Sequence, residues 1–295
     1  MKRLWLLLSV AALMALAFYL FMMPYEFQVT LRGNTLPGDV IQTIRIWDRS
    51  LNDSEIISVD SLRGVTQEIS IEGRSYIYRW AFNVQHDSVT KIQVRISEPA
   101  RRFMNKILVP ISAPPIEKDA ANVMQAFNDI LKEHLRITRV KFIGEAQIDP
   151  AFCVCSALET RQIEKASGMM KDFPELTDFI SVTGLKPKGP PSVRIKHWSH
   201  NAGELKYDFC FPIQETDTLP ISKKFTYKSF DRQRALKAEY YGNYITSDRA
   251  WYVLMQHAMD MGYALKGLPV ESFHNNPTLG ISESSWKADI YLPIE

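Results

Sequence analysis

An acidic and an aromatic side chain near the C-terminal end are the residues best suited to chemistry. Glu271 and Phe273 lie in the segment VESFH, whose alternation predicts a strand. Successive side chains of a strand point to opposite faces, so Glu271 and Phe273 share one face. A carboxylate beside an aromatic ring on a concave, partly desolvated face is suited to binding an organic cation. At a sheet edge the same carboxylate would be solvated, and that alternative stays open.

The surroundings of Glu271 occur twice in the chain. Two pairs of segments match at nearly constant offsets: TGLKPKGPP (183–191) with MGYALKGLP (261–269), and ELKYDFCFPIQ (204–214) with SWKADIYLPIE (285–295). Such self-similarity predicts an internal duplication, with copies over about 148–214 and 230–295. In this alignment Val193 stands where the second copy has Glu271. An apolar position has become acidic in one copy, which favours a binding role for Glu271.

Each copy is interpreted as strand, helix, strand, strand. Two such units side by side predict one antiparallel sheet with both helices on one face, and a groove on the opposite face. The first helix is expected within 159–180, although Gly168 and Pro174 interrupt its pattern. Ser247 is expected to cap the N-terminus of the second helix.

The last strand adds two candidates for the groove. Asp289 and Tyr291 alternate with the aliphatic residues Ile290 and Leu292. We expect the aliphatic pair to face the helices, which leaves Asp289 and Tyr291 to line the groove beside Glu271.

Three further aromatic residues complete the set of binding candidates. Tyr244 follows a glycine and is expected to close one end of the groove. Trp251 lies on the apolar stripe of the second helix, where core packing is the first expectation and pocket lining the second. Tyr207 stands in copy one where copy two has Ala288, so the two halves of the groove differ, as an asymmetric ligand would require.

Four segments of the second copy carry a resemblance to a known family: YYGNY (240–244), DRAW (248–251), MGYALKGLPVESFHNNP (261–277) and KADIYLPIE (287–295). Their order and spacing resemble the GyrI-like domain, also called the AraC effector-binding or SOUL-like domain. That family shows G-x-Y, a helix with A-W, G-P-x-x-E-x-Y-x-x-x-P and a final T-E-I-Y-x-P. Phe273 stands here for the usual Tyr, and Asp289 for the usual Glu.

The resemblance implies a pocket for small, amphipathic molecules that are often aromatic or cationic. We therefore expect a small hydrophobic or cationic ligand and no catalysis. One alternative is a hydrolase that opens strained electrophilic rings, with Glu271 as base and Tyr291 or Tyr244 as acid. Another is a structural or interaction protein whose groove is filled by its own side chains.

Neither a cofactor nor a metal is expected. His197 and His200 are three residues apart, but no acidic or cysteine partner lies at metal-binding spacing. The three cysteines, Cys153, Cys155 and Cys210, are an odd number, which argues against a disulfide framework. Cys153 and Cys155 are expected to be small apolar residues of a strand.

The N-terminus predicts a membrane anchor over residues 1–23. Lys2 and Arg3 precede an unbroken apolar run from Leu4 to Met23, long enough to cross ~30 Å of hydrocarbon as a helix. Positive charge before the span keeps the N-terminus in the cytoplasm and places the rest beyond the inner membrane, as a single-pass protein. A signal peptide cleaved near 15–17 is the alternative.

Residues 24–138 predict a small α+β domain between the anchor and the duplicated domain at 148–295. Alternating segments at 65–71, 76–84 and 91–96, with turns at Glu72-Gly73 and 86–88, predict an antiparallel meander. An apolar stripe from Ile116 to Leu131 predicts a long helix. This order, with NTLPGDVIQTIRIW near its start, resembles a shortened SRPBCC (START-like helix-grip) domain.

Charge excludes one class of partner. The chain has 35 Lys+Arg and 33 Asp+Glu, a net charge of +2, which provides no broad basic surface for nucleic acid. Composition leaves the oligomeric state open.

Overall fold

The computed structural model describes residues 2–60, 62–86, 89–277, 280 and 282–295. Met1 and the predicted turn at Asp87 and Ser88 lie outside them. The chain divides into two compact units, 1–132 and 133–295. Each unit carries its own antiparallel sheet with helices, so the predicted α+β class is confirmed.

The first unit contains one five-stranded antiparallel sheet of order β1-β5-β4-β3-β2. Its strands are β1 (Phe27–Gly33), β2 (Ser54–Asp60), β3 (Gly64–Ile71), β4 (Arg74–His86) and β5 (Val89–Ser97). Its helices are α1 (Lys2–Ala17), α2 (Pro37–Asp48), α3 (Arg102–Leu108) and α4 (Pro115–Ile137), whose last residues belong to the second unit. Strand β2, which no alternation in the sequence predicted, lies between Trp47 and Val65 at the edge of the sheet.

The long helix α4 covers this sheet as its apolar stripe predicts. Phe127 packs its ring 4.7 Å from Trp80 of β4 and 5.4 Å from Trp47 of α2. The predicted turn between β3 and β4 is present, with Glu72 and Gly73 both at positive φ. The assignment to the SRPBCC superfamily stays a prediction.

The apolar N-terminal segment is helical throughout. It begins as α1 and ends in a π-helical turn, Phe18–Met22. Over the described residues, Arg3–Met22 is the one helix long and apolar enough to cross a membrane. Its large apolar side chains are exposed, Trp5 by 70% and Phe21 by 73%.

The second unit contains an eight-stranded antiparallel sheet of order β10-β7-β9-β8-β12-β13-β11-β6. Its strands are β6 (Arg139–Ile148), β7 (Ala151–Arg161), β8 (Ser192–Trp198), β9 (Glu204–Pro212), β10 (Thr226–Phe230), β11 (Gln233–Tyr241), β12 (Val270–Phe273) and β13 (Lys287–Pro293). Its helices are α5 (Lys165–Val182) and α6 (Arg249–Met261). Strands β6 and β10 form the two edges, and β8 pairs with β12 at the centre.

The two predicted copies have the same internal connections. Each runs strand, helix, strand, strand, and each pairs its last strand with both of its others. Each copy contains an equivalent backbone hydrogen bond. It runs from Lys188 N to Pro212 O (2.8 Å) in the first copy and from Lys266 N to Pro293 O (3.0 Å) in the second. The same four residues match in the sequence comparison of the two halves.

Helix α5 is continuous, although its sequence pattern is interrupted. Pro174 lies inside it. At Gly168 a Cβ would lie 2.5 Å from the Tyr207 hydroxyl oxygen, so the glycine permits close approach of α5 to β9.

The cysteine expectation is partly wrong. Cys155 and Cys210 face each other on β7 and β9 and form a disulfide, while Cys153 is free and buried. An odd cysteine count excludes full pairing but not one bridge, and strand pairing brings these two together across a separation of 55 residues.

Candidate functional site

Glu271 is fully buried and its carboxylate is completely engaged. Lys165 Nζ lies 2.5 Å from both carboxylate oxygens, and neither side chain is exposed. Trp251 Nε1 donates to Oε1 at 2.6 Å, and Ser247 Oγ lies 3.0 Å from Oε2. Glu271 is therefore paired within the protein, and the alternative of a solvated carboxylate at a sheet edge is wrong.

Both halves of the domain contribute to this cluster. Lys165 is the first residue of α5 in copy one, whereas Glu271 lies on β12 in copy two. Ser247 does not cap α6, because Asp248 occupies the N-cap position. Its hydroxyl instead accepts a hydrogen bond from Lys165 Nζ at 2.7 Å. Trp251 also lies under the ammonium, with its ring centre 4.9 Å from Nζ.

The buried ion pair between Lys165 and Glu271 is costly to break. Desolvation makes a buried charge costly unless it is paired and hydrogen-bonded, and both conditions are met here. Removing one partner of a buried ion pair costs about 3–5 kcal/mol, because the other charge is left uncompensated. The pair therefore has little freedom to exchange Lys165 for an external cation.

A cavity of about 230 Å³ is bounded by residues of α5, β9 and the end of β12, the strand that carries Glu271. Its lining residues are Met169, Met170 and Phe173 of α5, Pro190 and Pro191, Phe209 and Phe211 of β9, Tyr244, and residues 273–277. The wall is largely thioether and aromatic, a surface that adapts to flat apolar molecules.

The cavity lies on the helix side of the sheet, so the expectation of a groove on the opposite face is wrong. Phe209 pairs with Val193, and Val193 pairs with Glu271. Directly paired residues share a face, which places Phe209 and the cavity on the face of Glu271. Lys165 of α5 and Trp251 of α6 contact Glu271 from this same side, so a cleft at the helices replaces the predicted open groove.

Tyr244 and Phe273 are the predicted residues that line the cavity. Their ring centres are 4.7 Å apart. The Tyr244 hydroxyl donates to Lys287 O at 2.9 Å and accepts from Asn275 N at 3.1 Å. Burial raises the pKa of Tyr244 to about 12, so its phenol stays protonated. Tyr244 is therefore part of the cavity wall, while its hydroxyl binds the backbone of the neighbouring loop.

Trp251 and Tyr207 lie on the same face but are core residues. Trp251 is completely buried, and its ring meets Trp198 edge-on at 5.0 Å. The Tyr207 hydroxyl donates to Lys165 O at 3.0 Å, and burial raises the pKa of Tyr207 to about 12. Trp251 therefore contacts the Glu271 carboxylate, and Tyr207 contacts the backbone of Lys165.

Asp289 and Tyr291 lie on the opposite face of the sheet from Glu271. The register pairs Glu271 with Ile290, and Val270 with Tyr291. The expectation that the two residues face the same groove as Glu271 is therefore wrong, although the aliphatic Ile290 does lie on the helix side. A one-residue difference in register moves every side chain of a strand to the other face.

Asp289 belongs to a separate charge cluster. Lys237 Nζ lies 2.9 Å and His274 Nε2 3.0 Å from its Oδ2. Burial raises the pKa of Asp289, but the hydrogen bonds and charges of Lys237 and His274 together outweigh it, and the net result is a lowered pKa. Among the described residues, no group of three or more His, Cys, Asp and Glu side chains could hold a metal ion.

Lys165 is the functional residue that the sequence interpretation missed. A lysine at the first position of a helix opposes the helix dipole, which favours acidic residues there. The unfavourable position of this charge makes Lys165 unusual, but nothing in the local sequence identifies Glu271 as its partner.

No family model and no curated protein matches this chain. Among solved structures, the EcmrR C-terminal domain is similar with 17% identity and a TM-score of 0.46, over 54% of this chain and 98% of that one. A protein solved with tetraphenylphosphonium bound shows 11% identity and a TM-score of 0.38, over 52% and 94% of the two chains. A hydrolase from Listeria innocua shows 11% identity and a TM-score of 0.37, over 56% and 98%.

Proposed function

We propose that the second unit binds a small aromatic molecule in the helix-side cavity without converting it. The observation that carries this proposal is the cavity itself, about 230 Å³ of space walled by Met169, Phe209 and Phe273. Small-molecule sites are clefts lined mainly by hydrophobic and aromatic side chains with a few polar groups, and this cleft has such a lining. The cavity also argues against the alternative of a groove filled by the protein's own side chains.

The size of the cavity limits the ligand. A cavity of about 150 Å³ holds benzene, and drug-sized ligands occupy about 300–1,000 Å³. A molecule with one or two fused rings therefore fits. Tyr244 and Phe273 would contact its ring faces, and the polar residues at the rim, Asn275 among them, would contact its polar end.

The charge of the ligand is expected to affect binding less than the sequence suggested. Cationic aromatic molecules remain within the proposed ligand class, but Lys165 already balances the charge of Glu271. We therefore expect a neutral aromatic molecule to bind at least as well as a cation of the same shape.

The same pair argues against the hydrolase alternative. A general base needs a free carboxylate within hydrogen-bond reach of a water. Glu271 is fully buried and accepts from Lys165 and Trp251, so it has no place for that water. Tyr244 is engaged with backbone groups, and its raised pKa opposes proton release.

We also propose that the chain is tethered to a membrane with this unit outside the cytoplasm. Arg3–Met22 supports the tether by its length and composition, and Lys2 and Arg3 support a cytoplasmic N-terminus. The Cys155–Cys210 disulfide supports the compartment, because such bonds persist where conditions are oxidising. Cleavage after a signal peptide would leave the same unit in the same compartment.

We further propose a family and an evolutionary origin for the second unit. We assign residues 148–295 to the GyrI-like type, formed by duplication of a strand-helix-strand-strand unit. The motifs and the equivalent bonds at Lys188 and Lys266 support this assignment. The near balance of charges supports a role without nucleic acid.

A matched pair of ligands tests the proposed binding. N-methylquinolinium and methylnaphthalene have the same shape and differ in charge, so isothermal titration or thermal shift separates the two contributions. Both are expected to bind, and a ligand at 100 times its Kd stabilises the protein by ~2.7 kcal/mol. The proposal is abandoned if neither binds. Binding of the cation alone, lost in Glu271→Gln, would instead restore Glu271 as the ligand's counter-ion.

A further inference from the structure

The first unit carries an apolar surface outside its core, on and just after α3. Four large side chains are exposed there: Phe103 (53%), Met104 (55%), Ile107 (38%) and Ile111 (78%). Contiguous apolar surface of this kind marks a contact with another molecule or a membrane.

This surface is joined to the end of the apolar N-terminal segment. Lys106 Nζ donates to Leu20 O at 2.8 Å and to Met23 O at 2.7 Å, the free carbonyls where that helix ends. Tyr19 donates to Lys106 O at 3.0 Å. The rings of Phe21 and Phe103 are 6.2 Å apart. These contacts hold helix α3 against the last turn of the apolar segment.

A groove of about 790 Å³ lies open beside these contacts and is lined by residues of α3 and of that last turn. Leu20, Phe21 and Met104 supply apolar wall, and Arg101 and Arg102 stand among the lining residues. Arg102 also contacts Glu26, with Nε 3.3 Å from a carboxylate oxygen. Basic groups next to apolar wall match a phospholipid, whose phosphate and acyl chains need both.

We propose that α3 is an interfacial helix that lies in the outer surface of the bilayer, and that its groove holds the headgroup of an anionic phospholipid. Phe103, Met104, Ile107 and Ile111 enter the boundary between headgroups and acyl chains. Arg101 and Arg102 contact the phosphate, to which guanidinium binds in a two-pronged geometry. Continuity with the N-terminal segment identifies a lipid surface as the occupant. This inference rests on the proposed tether and is independent of the ligand cavity.

A fluorescent label measures the depth of α3 in the full chain reconstituted into vesicles. Met104→Cys places the label on α3, and Ile57→Cys, at an equally exposed site on β2 (52%), is the matched control. Cys153 is buried and the other two cysteines are bonded, so labelling is selective. We expect the label at 104 to be quenched by brominated lipids and at least ~3-fold less by aqueous iodide than the label at 57. Equal iodide quenching at both sites would overturn the proposal.

The headgroup is tested by changing lipid charge. Replacing part of the phosphatidylcholine by phosphatidylglycerol should further protect the label at 104, and Arg101→Gln should remove most of that gain. Arg63→Gln, at an exposed arginine of the same unit, should keep it. Loss of the gain in both variants, or in neither, contradicts headgroup binding. Free inorganic phosphate in the buffer should not replace the lipid, and competition by it would assign the groove to a soluble anion.

Discussion

Lys165 Nζ lies 2.5 Å from both carboxylate oxygens of Glu271, a residue 106 positions further along the chain. The ammonium comes from the start of α5 in one half of the domain, and the carboxylate from β12 in the other. Neither charge is compensated until the two halves pack together. The pair therefore ties the two halves to each other.

The first prediction concerns the stability of this pair. Lys165→Met or Glu271→Leu alone should each destabilise the second unit by about 3–5 kcal/mol, because each leaves one buried charge unpaired. The double variant should be far less destabilised, since it removes both charges and fills the space with apolar groups. Chemical denaturation of the three variants measures the coupling.

Additive losses of stability in the single and double variants would contradict this prediction. If the double variant loses the sum of the two single losses, then Lys165 and Glu271 contribute separately and the pair is not the link between the halves. Lys171→Met, at a lysine elsewhere on α5, is the control and should change the free energy of unfolding by less than ~0.5 kcal/mol.

The second prediction concerns the cavity. Met170→Trp should fill part of it and weaken binding of methylnaphthalene at least ~10-fold, with little loss of stability because the space is already present. Met259→Trp places the same ring on the exposed face of α6, where Met259 is 70% exposed, and should bind as the parent protein does. Equal binding by both variants, measured by titration, would show that the ligand occupies another place.

Much of the fold followed from hydrophobic alternation, and the strands that were missed share one property. Strands β2, β6 and β10 each form an edge of a sheet. Edge strands bury few side chains, so their alternation is weak, and β10 buries none of its five residues fully. The central strands β3, β5 and β13 gave clear patterns because their inward side chains must be apolar.

The site was harder to predict than the fold. The apolar counterpart Val193 marked Glu271 as a binding candidate, but it indicated neither the burial of Glu271 nor its partner Lys165. No local pattern links positions 106 residues apart. The error at Asp289 and Tyr291 has a related cause. Each strand shows which residues alternate, whereas only the register between β12 and β13 decides which alternating sets face the same side.

The third prediction concerns the disulfide. Reduction should destabilise the second unit by about 2–5 kcal/mol, since the bond closes a long loop in the unfolded chain. Cys155→Ala should show the same loss without reductant and no further loss with it. Cys153→Ala should respond to reductant as the parent does, because that thiol is free. A melting temperature that reductant leaves unchanged in the parent would indicate that the bond is absent.

The fourth prediction concerns acid sensitivity through His134, near the end of α4. Burial, and next the positive charge of Arg249, lower the pKa of His134 below its ordinary 6.5. The unfolded chain therefore binds a proton more readily than the folded unit does. The contribution of His134 is full above about pH 6.5 and is lost as the pH falls from there towards the lowered pKa of the folded state.

Chemical denaturation at several pH values between about 8 and 5 measures this loss, whose slope cannot exceed that of one proton, ~1.4 kcal/mol per pH unit. His134→Gln should flatten the dependence in this window. Arg249→Gln should flatten it in part, because it removes the charge but leaves the burial. If the slope of the His134→Gln variant equals that of the parent, then the proton is bound elsewhere and burial of His134 has no part in the acid response.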